Sequence, residues 1–212
     1  MAAGVTIIDP ATTYIDSDVQ VGPDTVIHPG VAIEGQSRIG AACEIHSNVR
    51  IVDSEIADKA VIQNFCLILG SRIAESASVG PFAHLRPESV VGEGAKVGNF
   101  VELKKTTLGP GSKANHLAYL GDATIGAKVN VGAGTITCNY DGTSKHPTVI
   151  EDGAFIGSDT QLIAPIRVGK GAYVAAGSSI TEDVPSGALG IARGRQTNVP
   201  GWVERKKTQP KD

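Results

Sequence analysis

The chain has 212 residues, 41% of them hydrophobic but only 4% aromatic, so its core must be assembled from small and aliphatic side chains. The net charge of −3 argues against a general nucleic-acid binder, which needs a basic face, and no apolar run approaches the roughly 18 residues of a membrane span. Cys43, Cys66 and Cys138 are an odd number at unrelated spacings and no secretory signal begins at Met1-Ala2-Ala3-Gly4, which together fit a reduced, cytoplasmic setting.

Residues 1–20 show little periodicity and read as an extended lead-in. From Val21 an aliphatic residue recurs every six positions, at Ile27, Ile33, Ile39, Ile45 and Ile51, with a small residue four places after each of the first five, Val21 included (Thr25, Val31, Ser37, Cys43, Val49). A hexapeptide period predicts an all-β chain coiled as a parallel β-helix. Position one of each unit then faces the interior, position five is inward but tight, and each coil satisfies the backbone of the next. Cys43 and Cys66 both fall at position five, so they are expected to be small core residues and not nucleophiles.

The repeat also has a phase. Numbering the sides one, two and three from Val21, the units at 51–55, 68–72, 103–107 and 120–124 have five residues instead of six. Their starts are 17, 35 and 17 residues apart, whole turns of a three-sided coil, so all four fall on side three. Counting to Ile180 gives 27 sides, or about nine coils; at about 4.8 Å per rung the prism is roughly 40 Å long. The repeat domain spans 21–184, interrupted by one protruding loop at 137–149 that leaves from side three. The 185–212 tail contains the only tryptophan, Trp202, and the run Glu204-Arg205-Lys206-Lys207; it is expected to be partly disordered and solvated.

The same phase sorts outward residues into columns. Position three of side two presents Asn99, His116, Ala133, Ser158 and Ala176 on successive coils, a histidine at the foot of a column of small residues. Position two of side three places Arg86 beside Lys104; two cations one rung apart repel unless an anion joins them, and phosphate is the natural candidate. Glu102, one coil below His116, is a possible orienting group. Gly92-Glu93-Gly94 and Gly132-Ala133-Gly134 are repeat turns that precede no helix, so a phosphate-loop or dinucleotide reading fails. His28 and His46 stack on neighbouring coils, but two ligands do not make a site and no third is in phase, so no metal is expected.

The irregular strings within the repeat are more specific than the repeat. They are Gly80-Pro81-Phe82-Ala83-His84-Leu85-Arg86-Pro87, Val97-Gly98-Asn99-Phe100-Val101-Glu102-Leu103-Lys104, His116-Leu117-Ala118-Tyr119-Leu120-Gly121-Asp122, Gly132 to Gly142, and Gly157-Ser158-Asp159-Thr160-Gln161-Leu162. On these strings residues 80–202 resemble the C-terminal acetyltransferase domain of the bacterial bifunctional N-acetylglucosamine-1-phosphate uridyltransferase/glucosamine-1-phosphate N-acetyltransferase family, and residues 5–79 do so with generic repeat content.

The resemblance implies a left-handed coil, a homotrimer with sites between subunits, and His116 as the general base. It implies that Arg86, Lys104, Tyr119, Asn130 and Lys145 hold the sugar phosphate and that Ala133, Asn139, Tyr140, Ser158, Ala176 and Arg193 hold acetyl-CoA, Lys145 or Arg193 acting across the subunit boundary. The implied reaction is acetylation of the 2-amino group of glucosamine 1-phosphate on the way to UDP-N-acetylglucosamine, a precursor of peptidoglycan and lipopolysaccharide. The family's uridyltransferase domain has no counterpart in these 212 residues. The alternatives are an acyltransferase for another amino or hydroxy sugar, a zinc carbonic anhydrase on the same prism, and a non-catalytic scaffold, since fold alone does not select among them.

Overall fold

The computed structural model describes residues 4–207. Short strands pair in parallel, each with the strand one coil on, as the left-handed β-helix requires. Side one is a nine-stranded sheet in which Val21 pairs with Ile39 and Ile39 with Ile56, continuing through Ile73, Val91, Leu108, Ile125 and Ile150 to Val168. Sides two and three join into one 19-stranded sheet. They join because Lys96–Lys104 and Lys113–Gly121 each run unbroken around the intervening corner.

Period and register follow from burial. Ile27, Ile33, Ile45, Ile51, Ile62, Ile68, Leu85, Leu103 and Leu120 are fully buried at position one. The tight inward position holds Val31, Cys43, Val49, Ala60, Cys66 and Ala77, also buried. Burial pushes the Cys66 thiol up to about 11 and raises Cys43 as well, which leaves both as inert space-fillers.

On side three the tight position is a column of hydroxyls: Ser37, Ser54, Ser71, Ser89 and Thr106. The Ser54 N–H donates to Ser37 Oγ (3.2 Å) and the Ser71 N–H to Ser54 Oγ (3.1 Å). Where a five-residue unit shortens the corner, these side chains supply the acceptor that a buried N–H needs.

The ladder reaches beyond the limits that periodicity set. Thr6–Ile7 pairs with Val26–Ile27 and Tyr14–Ile15 with Ala32–Ile33, so the lead-in at 1–20 contains two sides of a further coil. At the other end Val168 bridges Val184, and Leu189–Gly190 pairs with Tyr173–Val174. Within the tail, Trp202–Lys207 is a short α-helix where disorder was expected, its acidic Glu204 in the first turn and Arg205, Lys206 and Lys207 in the last. That distribution complements the helix dipole. Residues 208–212 lie outside the described residues. No described helix is long and apolar enough to cross a membrane.

The corner between sides two and three carries bulky side chains in left-handed backbone. Phe65, Phe82, Phe100 and Leu117 have φ of 60°, 55°, 56° and 43°. An L-residue pays about 1–2 kcal/mol for that conformation. All four are exposed, and the three phenyl rings stack with centroids 5.0 and 5.3 Å apart.

Candidate active site

His116 lies on the strand Lys113–Gly121 directly above Asn99, as the phase required. The imidazole is exposed, and its Nδ1 is 2.9 Å from Asn99 Oδ1. An amide oxygen accepts, so Nδ1 carries the proton and Nε2 presents a lone pair outward. Glu102 does not perform this orienting role. It sits beside Tyr119 in the ladder and its carboxylate is 3.0 Å from Arg86 Nη1, so the residue that fixes His116 is Asn99.

Above His116 the surface is almost free of side chains. Gly132, Ala133, Gly157, Ser158, Ala175 and Ala176 occupy successive outward positions, and the rungs are tied by Asp159 N–H to Ala133 O and Gly177 N–H to Ser158 O. Glycine is required here by close approach: a Cβ on Gly132 would lie 2.5 Å from Ser158 N, and one on Gly157 would lie 2.4 Å from Ala176 N. At the far end Arg193 folds back onto the same track, its Nη1 donating to Ala176 O at 2.8 Å. The small column inferred from phase is thus a shallow track from His116 to an arginine.

Around the corner at Leu117, side three holds a cluster of charges. Lys104 Nζ is 3.4 Å from Asp122 Oδ2, and both side chains are largely shielded (18% and 14% exposed). Lys145 arrives from the loop beside Lys104. Contact with Lys104 holds the Lys145 ammonium below its ordinary range, Arg86 adds to that effect, and Asp122 opposes it. Lys104 moves the other way, raised first by its contact with Lys145 and also by Asp122. Arg86, Lys104, Lys105 and Lys145 against Glu88, Glu102 and Asp122 leave one positive charge in excess around a cleft also lined by Pro87.

The expected repulsion between Arg86 and Lys104 is relieved by carboxylates, one for each cation. Tyr119 reaches the same place: a Cβ on Gly121 would meet its hydroxyl at 2.5 Å and Asn139 Nδ2 at 2.8 Å.

The loop at 137–149 is a pinned hairpin. Tyr140 bridges Lys145 in antiparallel register, and Asp141 accepts the N–H groups of Thr143 and Ser144 at 2.7 Å each. The Asp141 carboxyl is held far below the usual range, first by the Ser144 N–H, then by His146 and the Thr143 N–H. Within one chain Asn139 is buried, and its amide donates to Asp122 on the cationic side instead of facing the track. The Tyr140 hydroxyl donates to Gly142 O. Asn130 lies on side two's approach, paired with Lys113 and Phe155. The described chain therefore carries the imidazole and its track on one flank and the cations on the next.

The chain is similar to known proteins over its whole length. Residues 4–93 match the family described as GMPPB C-terminal domain, and residues 147–182 match bacterial transferase hexapeptide (six repeats). The bifunctional protein GlmU of Koribacter versatilis is 55% identical over 211 residues, covering 100% of this chain and 45% of that protein. The chain is a relative of GlmU. GlmU of Thermotoga maritima is 56% identical over 207 residues (97% of this chain, 46% of that protein). The chain spans about half the length of the GlmU proteins it matches.

Among solved structures, the UDP-N-acetylglucosamine acyltransferase of Francisella novicida superposes with a TM-score of 0.58 at 20% identity, covering 88% of this chain and 67% of that one. The enzyme from Bacteroides fragilis gives 0.55 at 17% identity over 96% and 78%. At such identities these two establish the shared β-helix, whereas GlmU shares the sequence itself.

Proposed function

We propose that the chain transfers the acetyl group of acetyl-CoA to the 2-amino group of glucosamine 1-phosphate. One observation carries the reading: an imidazole with Nδ1 tied to Asn99 and Nε2 facing out stands at the foot of a track of glycine, alanine and serine that ends at Arg193. A track of such small residues suits the narrow pantetheine arm. The cation cleft of Arg86, Lys104 and Lys145 suits a phosphomonoester, and Tyr119 and Asn130 are assigned to the sugar. Ala133, Asn139, Tyr140, Ser158, Ala176 and Arg193 are assigned to acetyl-CoA.

In this reaction His116 Nε2 removes a proton from the amine, and the nitrogen attacks the thioester carbonyl. The C–N bond forms, the C–S bond breaks, and coenzyme A leaves as the thiol. The oxyanion is assigned to the N–H of Ala133, which lies between Gly132 and Gly134, whose own N–H groups bond Ile156 O and Leu117 O. The transfer is direct: Cys43 and Cys66 are buried, and burial raises the thiol of the half-buried Cys138, which stands on the strand Ile136–Cys138 of side three and not on the strand of His116.

We further infer a cytoplasmic homotrimer with sites shared between prisms. In one chain the base and the cations occupy adjacent flanks, and the exposed Phe65–Phe82–Phe100 stack between them is the sort of apolar ridge a second copy would cover.

The test is consumption of acetyl-CoA with glucosamine 1-phosphate, glucosamine or UDP-glucosamine as acceptor. Turnover restricted to glucosamine 1-phosphate is expected. Equal turnover of free glucosamine would remove the phosphate from the reading and favour an acyltransferase for another sugar.

A further inference from the structure

Near the opposite end of the prism, His28, Glu44 and His46 form a cluster that the acetyl-transfer site does not use. Glu44 and His46 flank the inward Ile45, Glu44 on the strand Glu44–Ile45 and His46 just after it, so both side chains point outward on the same face. His28 sits one coil below His46, fixed by Val26–Ile27 pairing with Glu44–Ile45. Phase alone placed the two histidines together, but it passed over the residue preceding the inward position, which is where the third group stands.

Glu44 Oε1 is 3.3 Å from His28 Nε2 and 3.5 Å from His46 Nε2, and the three candidate donor atoms lie within 4.8 Å of one another. Two donors bound at about 2.0–2.1 Å around a tetrahedral ion stand about 3.4 Å apart, so two edges of such a site are already at the right length. The imidazoles are stacked with centroids 4.9 Å apart and planes 14° from parallel. Each is anchored by its own backbone, the His28 N–H to Ile45 O (2.9 Å) and the His46 N–H to Ile62 O (2.8 Å). All three side chains are partly shielded and none is buried, which leaves room for water at the open positions.

We propose that His28 Nε2, His46 Nε2 and one carboxylate oxygen of Glu44 bind a divalent transition ion, zinc in the first instance, with solvent completing the shell. Two imidazoles and a carboxylate are a donor set for zinc, nickel, copper or cobalt and a poor one for magnesium or calcium. Closing the remaining edge requires the two Nε2 atoms to approach by only a fraction of the rung spacing, through side-chain rotation. The ion would clamp the coil of Ile27 to the coil of Ile45, close to where the ladder begins. His46 and His116 are four rungs apart, about 19 Å at the usual spacing, so the clamp is separate from acetyl transfer.

The experiment uses the full, tag-free chain. Titration with Zn²⁺ by calorimetry, and with Co²⁺ by absorption, reads stoichiometry and ligand type. Mass action raises the unfolding midpoint with free metal if the folded state alone binds. One ion per chain is expected, with a cobalt spectrum free of thiolate charge transfer. His28→Gln and His46→Gln should each weaken binding at least about tenfold and remove the metal-dependent rise in midpoint, while leaving acetyl-CoA turnover unchanged. Glu44→Gln should weaken binding less. The proposal is overturned if zinc fails to bind stoichiometrically, if a thiolate band shows a cysteine as ligand, or if binding survives both histidine variants. These readouts do not involve glucosamine 1-phosphate, so their failure leaves the acetyl-transfer reading standing.

Discussion

Asn99 is the residue whose removal most directly tests how His116 is held. The bond from His116 Nδ1 to Asn99 Oδ1 spans two coils at 2.9 Å, and the imidazole is exposed, so packing alone does not fix the ring. A single neutral hydrogen bond is worth about 0.5–1.5 kcal/mol net, so Asn99→Ala should lower kcat roughly 2- to 13-fold. Neither Michaelis constant should move, because Asn99 is a positioning residue that acts through His116. His116→Ala should lower turnover by roughly 10²–10⁴, the usual worth of a general base. Because His116 is outside the core, its stability cost should stay within about 0.5 kcal/mol.

The decisive comparison is the double variant. If Asn99 works only through His116, Asn99→Ala costs nothing further once the imidazole is gone. Steady-state rates on all four proteins, with midpoints from thermal unfolding as the control, complete the cycle. Should Asn99→Ala slow the His116→Ala protein as much as it slows the parent, the orienting role is wrong and Asn99 touches substrate on its own account.

Other outcomes follow from the same geometry. Arg86→Ala should raise the Michaelis constant for glucosamine 1-phosphate with little change in that for acetyl-CoA; the reverse pattern in initial-rate kinetics would detach the cation cleft from the phosphate. Light scattering at micromolar concentration should give three times the mass of one chain, and a monomeric mass would end the shared-site proposal. Ile68→Ala removes a fully buried side chain stacked between Ile51 and Leu85 and should cost about 2–5 kcal/mol in urea unfolding. The lowered pKa of Asp141 makes the hairpin sensitive to acid: its stabilisation is complete above the ordinary carboxylate value of 3.8 and is lost as the pH falls below it towards the depressed folded value. Hydrogen-exchange protection at the Thr143 and Ser144 amides, taken relative to the intrinsic rate at each pH, should therefore fall in acid, and Asp141→Ala should reproduce the loss at neutral pH.

Much of this was legible in the sequence because a β-helix converts spacing into position. Once Val21 and the five-residue units were set, Asn99 had to lie under His116 and the 137–149 loop had to leave from side three. The additional coil at Thr6–Ile7 and Tyr14–Ile15 was not legible. Asp9-Pro10 and the residues around it break the six-residue step between those strands, and only the partners Val26 and Ala32 show where they belong. Counter-ions were equally hidden. Asp122 read as an ordinary polar position and Glu102 as a group for His116, until the side chains of Lys104 and Arg86 were seen to turn towards them. The orienting role expected of Glu102 failed for that reason, since a nearer guanidinium claims its carboxylate. Glu44 escaped notice as the third member of its cluster because side-by-side columns were considered one position at a time.

The parallel ladder has a consequence for how the molecule comes apart. Strands pair only with the coil below and the coil above, mostly 17–18 residues away, as with Val61 between Glu44 and Ser78, and 25 away across the protruding loop, as with Asn130 and Phe155. Such a chain behaves as a row of neighbours, each stabilised by the two that flank it. Loss of structure then travels inward from the two ends, where a coil has one neighbour instead of two. His116, with coils stacked on both sides, sits in the stretch that melts last. The His116–Asn99 pair can thus outlast erosion of either terminus, whereas fraying at the C-terminal end takes Arg193 and the last rung of the track first.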